Sequence, residues 1–192
     1  MSDEAAAAIA TPRLVLRPPR TADAPRLAAL ANHAGIARRL ATMPYPYGEA
    51  DALAFIVGTA SMSADAACFV LALKPGAELI GVCGYGPARG RPAGAPPETD
   101  FGYWLGLDYW GKGYATEAAA AVLAHAFEIS DVAVITTNYQ IDNQASGRVL
   151  AKLGFARLGP RRRHSLGSGG DVDTMQVELK RQDWLARRQI RP

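Results

Sequence analysis

Cysteine and histidine are scarce in this chain, with two and three copies among 192 residues. Cys68 and Cys83 lie inside apolar runs, where a small thiol usually serves as core filler. The histidines, at 33, 125 and 164, are too far apart in sequence to offer metal spacing, so no metal centre is expected. Long hydrophobic runs are missing too. Nothing approaches the roughly eighteen uninterrupted apolar residues of a membrane span. The opening Met1-Ser2-Asp3-Glu4 is acidic where a secretory signal is basic, which points to a cytoplasmic protein. Nor is there a large excess of one charge: the net charge is +3 and the pI about 9.0. The basic residues are scattered, apart from Arg161, Arg162 and Arg163 and the stretch 187–191. Nucleic-acid binding needs a broader basic stripe, so neither nucleic acid nor membrane is an expected partner, although a mild basic excess suits a polyanionic small ligand.

What is present is ordinary for a globular protein: 49% hydrophobic and 20% charged residues, long enough for one domain over 1–192 with a real core. Residues 1–10 are expected to be flexible and 181–192 to form a basic tail. Strand patterns run over 13–17, 68–73, 79–85, 100–107, 132–137, 155–158 and 172–179. Helical spacing appears after Thr21-Ala22-Asp23, then over 33–64 with breaks at Gly35 and at 43–48, and most clearly over 114–128 and 143–153. A short helix is expected over 183–188. Residues 86–97 hold four prolines and no periodicity, and read as a long exposed loop. The order implies an α/β (α+β) fold with a parallel crossover through the 114–128 helix.

Two segments carry chemistry. Leu105, Gly106 and Leu107 lead into Tyr109-Trp110-Gly111-Lys112-Gly113-Tyr114-Ala115-Thr116, a strand, a glycine turn and a helix start. Glycines there let the backbone approach a ligand, and the helix start presents unpaired N–H groups at the positive end of its dipole: a phosphate cradle, with Lys112 adding charge. A tight turn that merely needs flexible residues reads equally well. The pattern fits neither a P-loop nor a complete dinucleotide fingerprint. In the second segment, Asn143 opens a helix whose inward stripe is Ser146, Val149, Leu150 and Leu153. Asn143 is a cap or a ligand contact, and Ser146 a functional hydroxyl or a small residue packed closely.

Taken together, about thirty residues apart, these segments resemble the GNAT N-acetyltransferase superfamily, and within it the RimJ/RimL-like branch. The matching strings are Thr11-Pro12-Arg13-Leu14-Val15-Leu16-Arg17, Phe101-Gly102-Tyr103-Trp104-Leu105, Tyr109 through Ala118, and Asn143-x-x-Ser146 through Lys152-Leu153-Gly154-Phe155. The resemblance implies a mixed, mostly antiparallel sheet of six to seven strands, splayed between the fourth (100–107) and fifth (132–137), with acetyl-CoA in the splay. It implies cofactor contacts from Leu105, Gly106, Leu107, Gly111, Lys112, Gly113, Tyr114, Ala115, Thr116, Asn143 and Ser146, and an oxyanion held by backbone N–H groups of the fourth strand. Arg148 and Lys152 are either further cofactor contacts or an exposed pair. Trp110 stands where the family often has Arg or Gln. Leu150 stands where other branches carry a tyrosine acid, which leaves Ser146 to serve the leaving sulfur. Asp100 is the candidate general base, with Glu98 its competitor.

The implied reaction is acetyl transfer from acetyl-CoA to a primary amine by direct attack in a ternary complex. Tyr45 and Tyr47 between prolines, the 87–97 loop and Trp104 are expected around the acceptor. No dense acidic cluster marks them for a polycation, which favours a protein N-terminus. A small amine or antibiotic, or a non-catalytic acyl-CoA sensor, are the alternatives. A monomer or homodimer is the expected assembly.

Overall fold

The computed structural model describes residues 8–63, 65–88, 98–129 and 132–189. Among them, eight strands form one sheet: β1 (Ile9–Ala10), β2 (Leu14–Arg17), β3 (Ala67–Leu73), β4 (Leu79–Pro87), β5 (Thr99–Leu105), β6 (Val134–Gln140), β7 (Ala156–Ser165) and β8 (Gly170–Lys180). Their spatial order is β1-β2-β3-β4-β5-β6-β8-β7, and every neighbouring pair is antiparallel except β5 and β6. That parallel pair is joined through helix α4 (Tyr114–Ile129), as the crossover requires. Alternation along the strands feeds two cores, one on each face. Phe69, Leu71, Ile80, Phe101 and Leu105 pack against α4 and α5 (Gln144–Leu153). Val70, Val82 and Leu79 pack against α1 (Ala24–Ala31), α2 (Ala34–Ala37) and α3 (Glu49–Ala60).

Several expectations need correcting. The strand count is eight rather than six to seven, because Ile9 and Ala10 pair with Leu16 and Val15. Those two residues therefore leave the stretch expected to be flexible. The fifth strand begins and ends later than 132–137, since Asn138, Tyr139 and Gln140 continue the ladder to Gln176, Met175 and Thr174. The last hairpin is much longer than 155–158 and 172–179, and the arginine run lies inside it. Its arginines carry no strand signal, yet Arg162 and His164 meet Asp173 and Asp171 across the pair at 3.8 and 3.4 Å. The expected basic tail is largely helix α6 (Arg181–Gln189), with Trp184 packed on Phe127. The expected loop at 86–97 starts after Pro87, and most of it lies outside the described residues, as do 1–7.

Cys68 and Cys83 fall on opposite faces of the sheet, one in each core, so the pair cannot bridge. No helix among the described residues is long and apolar enough to cross a membrane.

Candidate active site

The ladder between β5 and β6 lasts for two residue pairs, Thr99 with Ile135 and Asp100 with Thr136. Beyond them the strands part. The Thr137 hydroxyl donates to the Phe101 carbonyl at 2.5 Å and the Thr136 hydroxyl to Glu98, closing the narrow end. Since the Phe101 carbonyl points toward β6, so do the peptide groups of Tyr103 and Leu105, alternate residues on the same strand. At those positions β6 has gone, and their N–H groups open into the gap.

The wide end leads to the glycine turn. After β5, a single 3-10 turn over Leu107–Tyr109 precedes Trp110, whose indole N–H donates to the Leu105 carbonyl at 2.8 Å. Gly111 and Gly113 then take φ of +73° and +82°, conformations that disfavour any side chain. The first α4 hydrogen bond runs from Glu117 N–H to the Gly113 carbonyl, so the N–H groups of Tyr114, Ala115 and Thr116 have no acceptor within the helix.

The turn is held by the link between β1 and β2. Arg13 donates to the Lys112 carbonyl at 2.9 Å and lies over the Tyr114 ring at 4.5 Å. The Glu117 carboxylate accepts from the Thr11 hydroxyl, the Arg13 backbone N–H and Arg13 Nε at 2.6, 2.8 and 2.6 Å. Burial alone would raise its pKa, but these donors outweigh burial and hold it below the ordinary carboxylate value. Tyr109 is tied in the same way, donating to Glu78 at 2.7 Å beside Arg26. Gly106 turns its N–H away from the gap. Its N–H is committed to the Ile80 carbonyl at 2.9 Å, and a Cβ there would sit 2.6 Å from Leu30. Close packing on α1 favours glycine at 106.

Across the gap lies the start of α5. Asn143 caps it, its side-chain oxygen accepting from Ser146 N–H at 3.2 Å. Gly154, at φ +100°, ends it. Ser146 Oγ lies 2.9 Å from the Tyr103 hydroxyl, which reaches over from β5. Arg148 and Lys152 are exposed.

On the opposite face of β5 stand Asp100, Gly102 and Trp104. A Cβ on Gly102 would meet nothing within 4 Å, so this face is open between its neighbours. Burial raises the Asp100 pKa, while the Phe101 N–H at 2.9 Å and the charge of Arg163 pull it part of the way back. The tip of the β7–β8 hairpin curls over this face. Ser165 donates to the Leu40 carbonyl, Leu166 N–H to Ala41 and Ser168 to Arg38 at 2.9, 2.9 and 3.0 Å. Arg161 and Arg163 share the strand face of Ser165. Tyr45 is 52% exposed near this region's α2–α3 connection, whereas Tyr47 is 6% exposed and belongs to the core.

Against known proteins, the acetyltransferase (GNAT) domain family matches residues 13–156. The chain belongs to the GNAT acetyltransferase family. It is therefore an acyltransferase of the acetyl-CoA-dependent kind. An uncharacterised N-acetyltransferase p20 of Bacillus licheniformis is 25% identical over 91% of this chain and 96% of its own length. The [ribosomal protein uS5]-alanine N-acetyltransferase of Escherichia coli is 32% identical over 83 residues, 43% of each chain. The structure of Mycobacterium smegmatis RimJ, in complex with CoA-disulfide, shares the fold with a TM-score of 0.72 at 23% identity, covering 91% of this chain and 88% of that one. At this low identity the relatives include the RimJ/RimL type.

As a GNAT domain, the chain sets the 111–116 turn after β5, carries α4 and α5 on one face of the sheet with Ser146 meeting Tyr103 across the opening, and puts Asp100 and Trp104 on the other face of β5. Two roles escaped sequence reasoning. Thr11 and Arg13 belong to a matching string, but only the structure shows them gripping the turn through Glu117. Tyr103 also belongs to a matching string and alternates inward with Phe101 and Leu105, a pattern that gives no sign of its hydroxyl reaching α5. Among the described residues, no group of three or more His, Cys, Asp or Glu could hold a metal ion.

Proposed function

We propose that this protein binds acetyl-CoA in the β5–β6 opening and transfers the acetyl group to a protein N-terminal amine within a ternary complex. The observation that carries this reading is the parting of β5 from β6 after two residue pairs. It leaves strand N–H groups facing a slot whose mouth is a glycine turn backed by a helix start. The donor set suits the cosubstrate: orphan N–H groups for a pyrophosphate and strand peptides for the amides of an extended arm. The Glu117 carboxylate, in the first turn of α4, is surrounded by three donors.

Acetyl-CoA supplies the activated thioester. Gly111, Lys112, Gly113, Tyr114, Ala115 and Thr116 hold its phosphates, and Asn143 keeps Nδ2 for the arm once its oxygen caps α5. Asp100 accepts the proton that the amine must shed before or during attack; a raised carboxylate pKa makes it a better base than an exposed one. Glu98 is the weaker choice, since Thr136 already donates to it. The N–H groups of Tyr103 and Leu105 face the oxyanion. The Ser146 hydroxyl donates to the departing sulfur.

For the acceptor, two observations favour a peptide end. The Escherichia coli relative is named for the alanine of a ribosomal protein. Arg161 and Arg163 also share the acceptor side, a poor lining for a polycation such as an aminoglycoside. The test is release of coenzyme A thiol across N-terminal peptides, amino acids, polyamines and aminoglycosides. Turnover with peptides is expected. Turnover on aminoglycosides with peptides inert would replace the acceptor, and cosubstrate binding without thiol release on any amine would replace the activity by that of a sensor.

A further inference from the structure

In the proposed transfer the backbone of Tyr103 faces the oxyanion and its side chain is idle, yet the phenol meets Ser146 Oγ at 2.9 Å. The two come from opposite sides of the opening, β5 and the first turn of α5. Among the described residues, each hydroxyl has the other as its hydrogen-bond partner and no second one. A helical serine without such a partner usually folds its hydroxyl back onto a carbonyl of its own helix. Here it is drawn outward instead, into the gap.

The geometry points to Tyr103 as a positioning residue, whose phenol fixes the Ser146 hydroxyl as a donor aimed at the departing sulfur. The inference rests on the role given to Ser146 above. A serine hydroxyl has one hydrogen and two lone pairs. When Tyr103 donates to it, one lone pair is filled and the serine hydrogen is left for the sulfur. In the opposite arrangement the serine hydrogen is spent on the phenol, and no donor faces the growing negative charge. Charge on sulfur therefore selects the first arrangement, and each bond in the chain polarises the next. Tyrosine suits the part because burial pushes its pKa up to about 12, with the Ser146 hydroxyl opposing that rise and Cys83 adding to it. It stays protonated throughout the working range and gives up no proton. The amine's proton leaves through Asp100; the thiolate departs hydrogen-bonded to Ser146 and takes its proton from water.

The experiment titrates the thiol of coenzyme A bound to the wild type, Tyr103→Phe, Ser146→Ala and the double variant, following the ultraviolet absorbance of the thiolate. Calorimetric affinity for coenzyme A and melting temperature are measured alongside. Tyr103→Phe should raise the bound thiol's pKa by about half a unit to one unit and slow turnover about fivefold, the scale of one hydrogen bond. Coenzyme A affinity should stay within about twofold, because the phosphates and arm are held elsewhere. The double variant should match Ser146→Ala. A wild-type titration in Tyr103→Phe, with Ser146→Ala still shifted, overturns the role of Tyr103 alone. A wild-type titration in Ser146→Ala overturns the reading of Ser146 itself. If Tyr103→Phe adds its full shift on top of Ser146→Ala, the phenol acts on sulfur directly and is no positioning residue. Lower affinity and melting temperature with an unmoved thiol would make it a structural pin, which also overturns the proposal.

Discussion

Asp100 is held in a position that works against the fold and for the chemistry. Its pKa is raised by burial, so the native protein holds the proton more tightly than the unfolded chain does. The stability this contributes is present below the ordinary carboxylate range and is lost as pH rises through the raised value. At neutral pH the ionised side chain is a burden on the native state. Asp100→Asn, which can still accept from the Phe101 N–H, should therefore melt higher than wild type at pH 7 to 8, with the gain fading toward about pH 3 to 4. The same variant should lose roughly a hundredfold in kcat/KM, and its rate should no longer fall as pH drops through the Asp100 pKa. Melting curves and pH–rate profiles on one preparation check both halves. The cysteines make the opposite case. Burial pushes Cys68 up to about 12 and Cys83 well above its ordinary value. Neither should react appreciably with iodoacetamide at pH 8 while the protein is folded, and mass spectrometry of the treated protein reads this directly.

At the scale of elements, the glycine turn depends on the β1–β2 link, which is remote in sequence. Glu117 joins the first turn of α4 to Thr11 and Arg13, and its lowered pKa means that this link stabilises the native state above the unfolded-state carboxylate pKa. The contribution is lost as pH falls through the folded value. Glu117→Gln should cost about 1–2 kcal/mol at pH 7, and the difference from wild type should close in acid. Because Arg13 also holds the Lys112 carbonyl, the variant should weaken coenzyme A binding as well, which calorimetry would report. Gly113→Ala should weaken it for another reason: φ of +82° costs a residue with a Cβ about 1–2 kcal/mol. The turn was legible in the sequence because positive φ leaves glycines behind, and α5 was legible because its cap, stripe and Gly154 are local signals. The grip of Thr11 and Arg13 on the turn was not, since it is a hydrogen-bond set spanning about a hundred residues. The long β7–β8 hairpin escaped notice because Arg161, Arg162 and Arg163 satisfy no alternation rule. They are strand residues through backbone pairing to Thr174, Asp173 and Val172. Tyr47, between Pro46 and Gly48, reads from the sequence as an exposed aromatic. Its burial with Met43 and Ile56 comes from the tertiary packing of α3.

Viewed as a whole molecule, the sheet is two antiparallel slabs, β1 to β5 and β6 with β8 and β7, meeting along β5 and β6. Each slab is fully laddered within itself. The seam is made of two residue pairs, assisted by threonine hydroxyls at its narrow end. Its closure follows a crossover over residues 106–133, whereas most other strand neighbours are joined by shorter connections. Backbone amides in the slabs should therefore exchange slowly with solvent deuterium, as two blocks. Those of Tyr103 and Leu105, which have no strand facing them, should exchange fast. A ligand lying in the seam would supply the missing ladder from outside the chain. Saturating coenzyme A should then slow exchange at 103 and 105 far more than in the slabs, while raising overall stability by about 2.7 kcal/mol at a hundredfold excess over its Kd. The cosubstrate would in that sense be a ninth strand, borrowed for each turnover and surrendered with the product.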